Sequence, residues 1–186
     1  FSVQDPAGTM RTLVDADGKF KAKAKNIVQN SSFDVGWDPV KWESFNSGYV
    51  SPLTATAKFG TKAVQVADHD TTLVKGMKQV LPYFDQFKGE LMTLTVWVRH
   101  SGASGTVTAS IGFDDGTTAA ANRYKDITLT TTYQQFSYTF SFPAAATKLD
   151  IYLFGAAGGD SAGAATNKTH ATDTSINVYY DGVTLA

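Results

Sequence analysis

The residues of this 186-residue chain whose types could support catalysis or metal ligation are three histidines and two knots of carboxylates. His69, His100 and His170 fall in a turn, at a strand end and in a loop, without the spacing that a zinc site uses. Asp114-Asp115 and Asp68-His69-Asp70 lie beside turn residues. A glycosidase needs two carboxylates facing each other across a cleft at a set separation, and neither knot supplies such a pair. No Gly-x-Ser-x-Gly elbow, phosphate-cradling glycine loop or redox pair occurs. The expectation is a protein that is not an enzyme.

Aromatic side chains offer a different chemistry. A sugar ring presents an apolar face of C–H groups that stacks on an aromatic plane, while its hydroxyls pair with Asn, Gln, Asp and Arg. Trp97, Arg99, Gln135, Tyr152 and Asn177 all fall on the polar faces of alternating runs, and together they have that chemistry. They are the candidate ligand-binding residues. The competing reading is that neighbouring segments cover these aromatics, which then form a second small core. Trp37-Asp38-Pro39-Val40-Lys41-Trp42 reads as a compact loop stapled by its own tryptophans.

The elements that must carry these residues are strands. Met92, Leu94, Val96 and Val98 alternate with Thr93, Thr95, Trp97 and Arg99; Val107, Ala109, Ile111 and Phe113 alternate with Thr106, Thr108, Ser110 and Gly112. Phe136, Tyr138 and Phe140, then Leu149, Ile151 and Leu153, then Ile176, Val178 and Tyr180 repeat the pattern. A period of two with one greasy face predicts antiparallel sheets packed on one side, an all-β sandwich or barrel. Turn residues separate the runs at Ser101-Gly102, Asp114-Asp115-Gly116, Pro143 and Asp181-Gly182. Gly155 to Ser175 reads as a long Gly/Ala/Ser/Thr loop.

Composition narrows the function further. A net charge of -1 gives no long-range attraction to nucleic acid or anionic lipid. The alternating Lys19, Lys21, Lys23 and Lys25 read as a solvated strand edge. The absence of cysteine rules out disulfides and thiolate metal sites, and no apolar run approaches the ~20 residues that span a bilayer.

Several segments, in order, resemble the strands of carbohydrate-binding-module jelly rolls. Asn26 to Asp34 is similar to the opening strand of that family, and Phe59-Gly60-Thr61-Lys62-Ala63-Val64-Gln65-Val66 to its G-x-x-A-L-x-V strand. Gly89 to Arg99, Thr132 to Phe140 and the closing Ile176 to Leu185 follow in the family's order, with Tyr133 where a tryptophan is usual. The resemblance covers residues 26–186 and implies an antiparallel jelly-roll β-sandwich that binds a cell-surface glycan or polysaccharide. It also implies a structural calcium ion tying the first strands to the last, held by Asp181 and Asp34 with backbone carbonyls around Gly60 to Lys62. Asp181-Gly182 reads equally well as a hairpin turn.

Residues 1–25 differ. Phe1-Ser2-Val3-Gln4-Asp5 and Val14-Asp15-Ala16-Asp17-Gly18-Lys19 resemble units that end phage tail-fibre and spike shafts, where three chains bury jointly what none buries alone. A disordered linker or an extra hairpin is the competing reading. The chain also lacks an initial Met, as a piece processed from something longer would. The resemblances together imply a homotrimeric virion appendage, docked to other virion proteins through residues 1–25. The alternatives are a module of a secreted glycoside hydrolase, extracellular instead of virion-borne, and a purely structural virion cap.

Overall fold

The computed structural model describes residues 2–4, 10–14, 20–21, 26–29, 31–34, 41–45, 49–53, 57–67, 75–102, 107–119, 122–155 and 176–186. Among these, every regular element except a four-residue 3-10 helix at Phe84–Phe87 is a strand. No described helix is long and apolar enough to cross a membrane.

Strands β1 (Ser2–Gln4), β2 (Met10–Val14) and β3 (Phe20–Lys21) make a small antiparallel sheet of their own. The other ten strands form two five-stranded antiparallel sheets. The first runs β10 (Tyr124–Leu129), β9 (Val107–Asp114), β12 (Asp150–Phe154), β7 (Gly76–Val80) and β4 (Glu43–Phe45). The second runs β11 (Gln134–Ser141), β8 (Leu91–His100), β13 (Asn177–Leu185), β6 (Ala63–Ala67) and β5 (Tyr49–Leu53). Pro52 removes a ladder donor, and β5 is an edge strand, where that loss is tolerated.

The greasy faces predicted from alternation meet between the sheets. Leu94, Val96 and Val98 of β8 and Ile111 and Phe113 of β9 are buried, as are Ile151 and Leu153 of β12 and Val178, Tyr180 and Leu185 of β13. Each such aliphatic or aromatic side chain removed from water contributes about 1.5–3 kcal/mol. Phe113 lies flat on Phe140, with centroids 3.7 Å apart.

Two expectations change. Residues 26–34 are not a strand: those described are irregular or turn backbone. They still reach the closing strand, because the Asn26 side chain donates to the Val183 carbonyl at 2.9 Å and accepts from the Leu185 amide at 2.9 Å. A short amide side chain thus does the work of ladder hydrogen bonds. Asp181-Gly182 is not a hairpin turn but an irregularity inside β13, where the pairing with β8 shifts register and Gly182 takes φ 55°. Trp42, in the loop read as stapled by its own tryptophans, packs into the core. It is wholly buried, 5.6 Å from the Phe33 ring, and its indole N–H donates to the Gln29 carbonyl at 3.1 Å. Trp37, most of the lysine run from Lys19 to Lys25, and all of Gly155 to Ser175 except Gly155 lie outside the described residues.

Candidate glycan-binding face

The outer face of the β11–β8–β13–β6–β5 sheet gathers most of the predicted residues. Gln135 pairs with Trp97 and Trp97 with Asp181 across β11, β8 and β13. One step along, Arg99 pairs with Tyr179, and Tyr179 with Gln65 of β6. Asn177, two residues before Tyr179, points to the same face by the strand period. Trp97, Arg99, Gln135 and Asn177 are therefore together.

Tyr152 is not with them. It lies on the outer face of the opposite sheet, in an aromatic cluster with Phe154, Phe45 and Tyr124. Tyr152 stacks on Phe154 at 5.8 Å with the planes 8° apart. Tyr124 lies so closely over Gly112 that any side chain there would collide with its ring, an added Cβ falling 2.2 Å from Cδ1. Burial pushes the Tyr152 phenol far above its ordinary pKa. A second small core does exist, on the far side of the sandwich from Trp97.

Arg99 lies between two rings. Its guanidinium carbon is 4.5 Å from the centre of Tyr179 and 5.5 Å from that of Tyr133. Nη1 also donates long hydrogen bonds, 3.4 Å each, to the His100 and Thr131 carbonyls. Cation–π stacking on two faces holds the fork in one plane. Burial, with the Asp181 charge adding, pushes the Tyr133 hydroxyl up to about 12. That hydroxyl and Asn177 Oδ1 are buried without a hydrogen-bond partner among the described residues, an uncommon state for buried polar atoms.

Trp97 is half-covered by residues that sequence reasoning missed. The ring of Phe59 stands edge-on to the indole at 5.6 Å and 86°, and Lys58 Nζ lies 4.7 Å over it. Both come from the loop before β6, where no period reveals orientation; the signal available was an aromatic and a lysine next to Gly60.

Two carboxylates position that loop. The amides of Lys58 and Phe59 each donate to Asp181 Oδ2 at 2.7 Å, and the Gly182 amide donates to Oδ1 at 2.7 Å. Burial still holds the Asp181 carboxyl above its usual pKa; the three amides oppose that, and the charge of Asp34 adds to it. On the other side of the loop, Asp34 accepts from the Thr61 amide at 2.6 Å and the Lys62 amide at 3.3 Å. The Thr61 amide is the main reason its carboxyl sits below the usual range. Gly60, at φ 60°, lies directly against Asp34, where a Cβ would fall 2.2 Å from both carboxylate oxygens and collide with them. The two carboxylates thus flank one loop and repel each other, and both already accept backbone amides. No group of three acidic or histidine side chains converges among the described residues, so carbonyls and water would supply the other ligands of a calcium ion there.

The carboxylates once considered for catalysis have other roles. Asp114 pairs with Arg123 at 2.9 Å and with Lys148 at 2.6 Å. Asp115 is buried and accepts the Thr117 and Thr118 amides at 2.6 Å each. Burial disfavours its charge, but hydrogen bonds from Thr118 and Thr117 prevail and hold its pKa below the ordinary value. His100 Nδ1 accepts the Gly102 amide at 3.0 Å. Asp68, His69, Asp70 and His170 lie outside the described residues.

No protein-family model matches the chain, and no curated protein matches its sequence. Solved structures do match. A family 16 carbohydrate-binding module aligns with TM-score 0.56 and 17% identity over 87% of this chain and 99% of its own. The CBM22-2 xylan-binding domain of Paenibacillus barcinonensis Xyn10C aligns with TM-score 0.61 and 16% identity over 84% and 96%. The fold is that of the carbohydrate-binding-module jelly rolls. TmCBM61, solved in complex with beta-1,4-galactotriose, aligns with TM-score 0.56 and 14% identity over 88% of this chain and 99% of its own. At such identities the likeness is one of fold. This jelly roll also has a cleft of about 200 Å³ lined by Ile27, Gln29, Leu81, Pro82, Tyr83, Gln86 and Phe87, apart from the face around Trp97.

Proposed function

We propose that this jelly roll is a non-catalytic glycan-binding domain that uses the outer face of the β11–β8–β13–β6–β5 sheet. The observation that carries the reading is the grouping of Trp97, Arg99, Gln135, Tyr179 and Asn177 on one face. An indole offers a plane for a pyranose ring, and the surrounding amide and guanidinium groups offer partners for hydroxyls. The similar structures include a xylan-binding domain and a module in complex with beta-1,4-galactotriose, which supports a glycan as the ligand class. The paired acids act outside the contact surface: Asp34 and Asp181 would hold a calcium ion that neutralises their repulsion and fastens the loop carrying Phe59.

Two settings suit such a domain. A module of a secreted glycan-degrading enzyme is supported by the xylanase context of neighbours such as the Clostridium thermocellum CBM22-1–GH10 modules. A virion appendage that attaches to host glycans is supported by the separate β1–β3 sheet following the shaft-like sequence of residues 1–25. In that setting a homotrimer would multiply weak single contacts ~10²–10⁴-fold through avidity.

A glycan array probed with the whole chain tests the function. Binding to a defined set of glycans, weakened in Trp97→Ala, is the expected result. A blank array at high protein concentration would leave a structural cap held by protein contacts. Sedimentation of the full-length parent separates the settings, a trimer favouring the virion and a monomer the enzyme module.

A further inference from the structure

The charged groups on this face point to a narrower ligand class, an inference that rests on the glycan-binding reading. We propose that the glycan carries carboxylate groups: the face selects uronic-acid polymers over neutral ones, with Arg99 and Lys58 as the carboxylate-reading residues.

The cations on this face are stacked on rings instead of being paired with acids. Lys78, Lys88, Arg123 and Lys148 each form an ion pair with a described carboxylate. Arg99 and Lys58 have none among the described residues; they lie against Tyr179, Tyr133 and Trp97. The acid opposite Trp97 is not an ion-pair partner for either of them. Asp181 has no accessible area, and its two oxygens are taken by the amides of Lys58, Phe59 and Gly182. The accessible charge around Trp97 is therefore positive in a chain whose net charge is -1.

Geometry favours a carboxylate as the counter-charge. A guanidinium offers five N–H donors in a rigid fork that matches the two oxygens of a carboxylate. Stacking between Tyr133 and Tyr179 fixes the plane of that fork before ligand arrives, so little side-chain freedom is lost on binding. Lys58 is fixed at its base by the bond from its amide to Asp181 and places a compact charge beside the indole. A neutral sugar lying on Trp97 offers both cations hydroxyl partners but no counter-charge for the hydration they lose. A uronate sugar covers them and neutralises them.

The test uses the whole chain and a panel of uronic-acid polymers (polygalacturonate, alginate and a glucuronoxylan), each beside its carboxyl-reduced counterpart, with dextran sulfate as a non-carboxylate polyanion. Affinity electrophoresis or calorimetry should show at least one acidic polymer bound on the order of tenfold more tightly than its reduced form, with a preference that shrinks at high salt. Arg99→Gln and, independently, the exposed Lys58→Gln should each bring the ratio of acidic to reduced affinity down toward one. Lys58→Gln guards against a folding defect at the half-buried Arg99. Equal binding of acidic and reduced polymers overturns the proposal and leaves the glycan reading standing. Equal or tighter binding of dextran sulfate overturns the carboxylate assignment in favour of general polyanion attraction. Binding of neither form, with a blank array, removes both the proposal and the reading beneath it.

Discussion

Asp181 sits opposite Trp97 in the β8–β13 ladder and, through the amides of Lys58 and Phe59, holds the two side chains that flank that indole. A wholly buried carboxylate therefore sets the shape of a surface it never reaches. The removal of Trp97 is the direct test of that surface. Trp97→Ala should weaken glycan binding on the order of tenfold, about 1.4 kcal/mol, with a melting temperature only a few degrees lower, because the indole is half-exposed. A steep fall in melting temperature with affinity unchanged would make Trp97 a packing residue.

Asp181→Asn should be more damaging to stability than its conservative shape suggests. An amide has one acceptor oxygen, and its NH2 would face N–H donors, leaving at least one of the three backbone amides unpaired. Each buried group so orphaned costs about 1–3 kcal/mol, which for a chain of this size is several degrees of melting temperature. Near-wild-type melting would show that the amides find other partners.

Gly182→Ala probes the same relationship from the other side. At φ 55° an alanine is strained by about 1–2 kcal/mol. Its Cβ would also lie 2.9 Å from the Phe59 ring and 3.2 Å from Trp97. Phe59 must move, so Trp97 fluorescence should shift and glycan affinity change while circular dichroism keeps its β signature. An unaltered emission spectrum would contradict the contact.

Calcium at Asp34 and Asp181 is testable by melting alone. An ion present at 100 times its Kd stabilises by about 2.7 kcal/mol, so chelation should lower the melting temperature by several degrees, and added calcium should restore it. In Asp34→Asn both responses should vanish. A wild-type melt indifferent to chelator would dispose of the ion.

Acid sensitivity follows from Asp115. Its carboxyl is held below the ordinary value of 3.8 in the folded state, so its contribution to stability is complete above that pH and is lost as the pH falls through the folded-state pKa. Asp34 acts in the same direction. Asp181, held above 3.8, acts in the opposite one, and its charge weakens the fold as the pH rises through that interval. Asp115→Asn should therefore melt below wild type at neutral pH, with the gap narrowing on acidification below about pH 4. A gap that stays constant with pH would mean the carboxylate charge contributes nothing.

Much of this was legible before the strands were paired. Met92, Leu94, Val96 and Val98 announced both a strand and its buried side, because a pleated strand sends alternate side chains to opposite faces. Trp97, Arg99, Gln135 and Asn177 could likewise be placed outside, and all are. Lys58 and Phe59 could not, since loop backbone has no fixed period and their direction is set by hydrogen bonds from their amides to Asp181, more than 120 residues further along the chain. That Trp42 is covered could be read from its loop, but its partner could not: the indole is buried against Phe33, a neighbour that turn residues alone do not identify.

Alternation of apolar and polar side chains by itself determined that this chain makes strands, which side of each is greasy, and that two layers must stack to hide those sides. It could not say which of the two outer surfaces a polar-side residue joins. Tyr152 and Trp97 are both outward-facing, yet β12 inserts between β9 and β7 while β8 lies between β11 and β13, so the two residues look away from each other across the whole sandwich. Strand order is settled by pairings between segments distant in sequence. The composition of the candidate face, with Arg99 between two tyrosines and Lys58 over an indole, was therefore decided only when the chain closed.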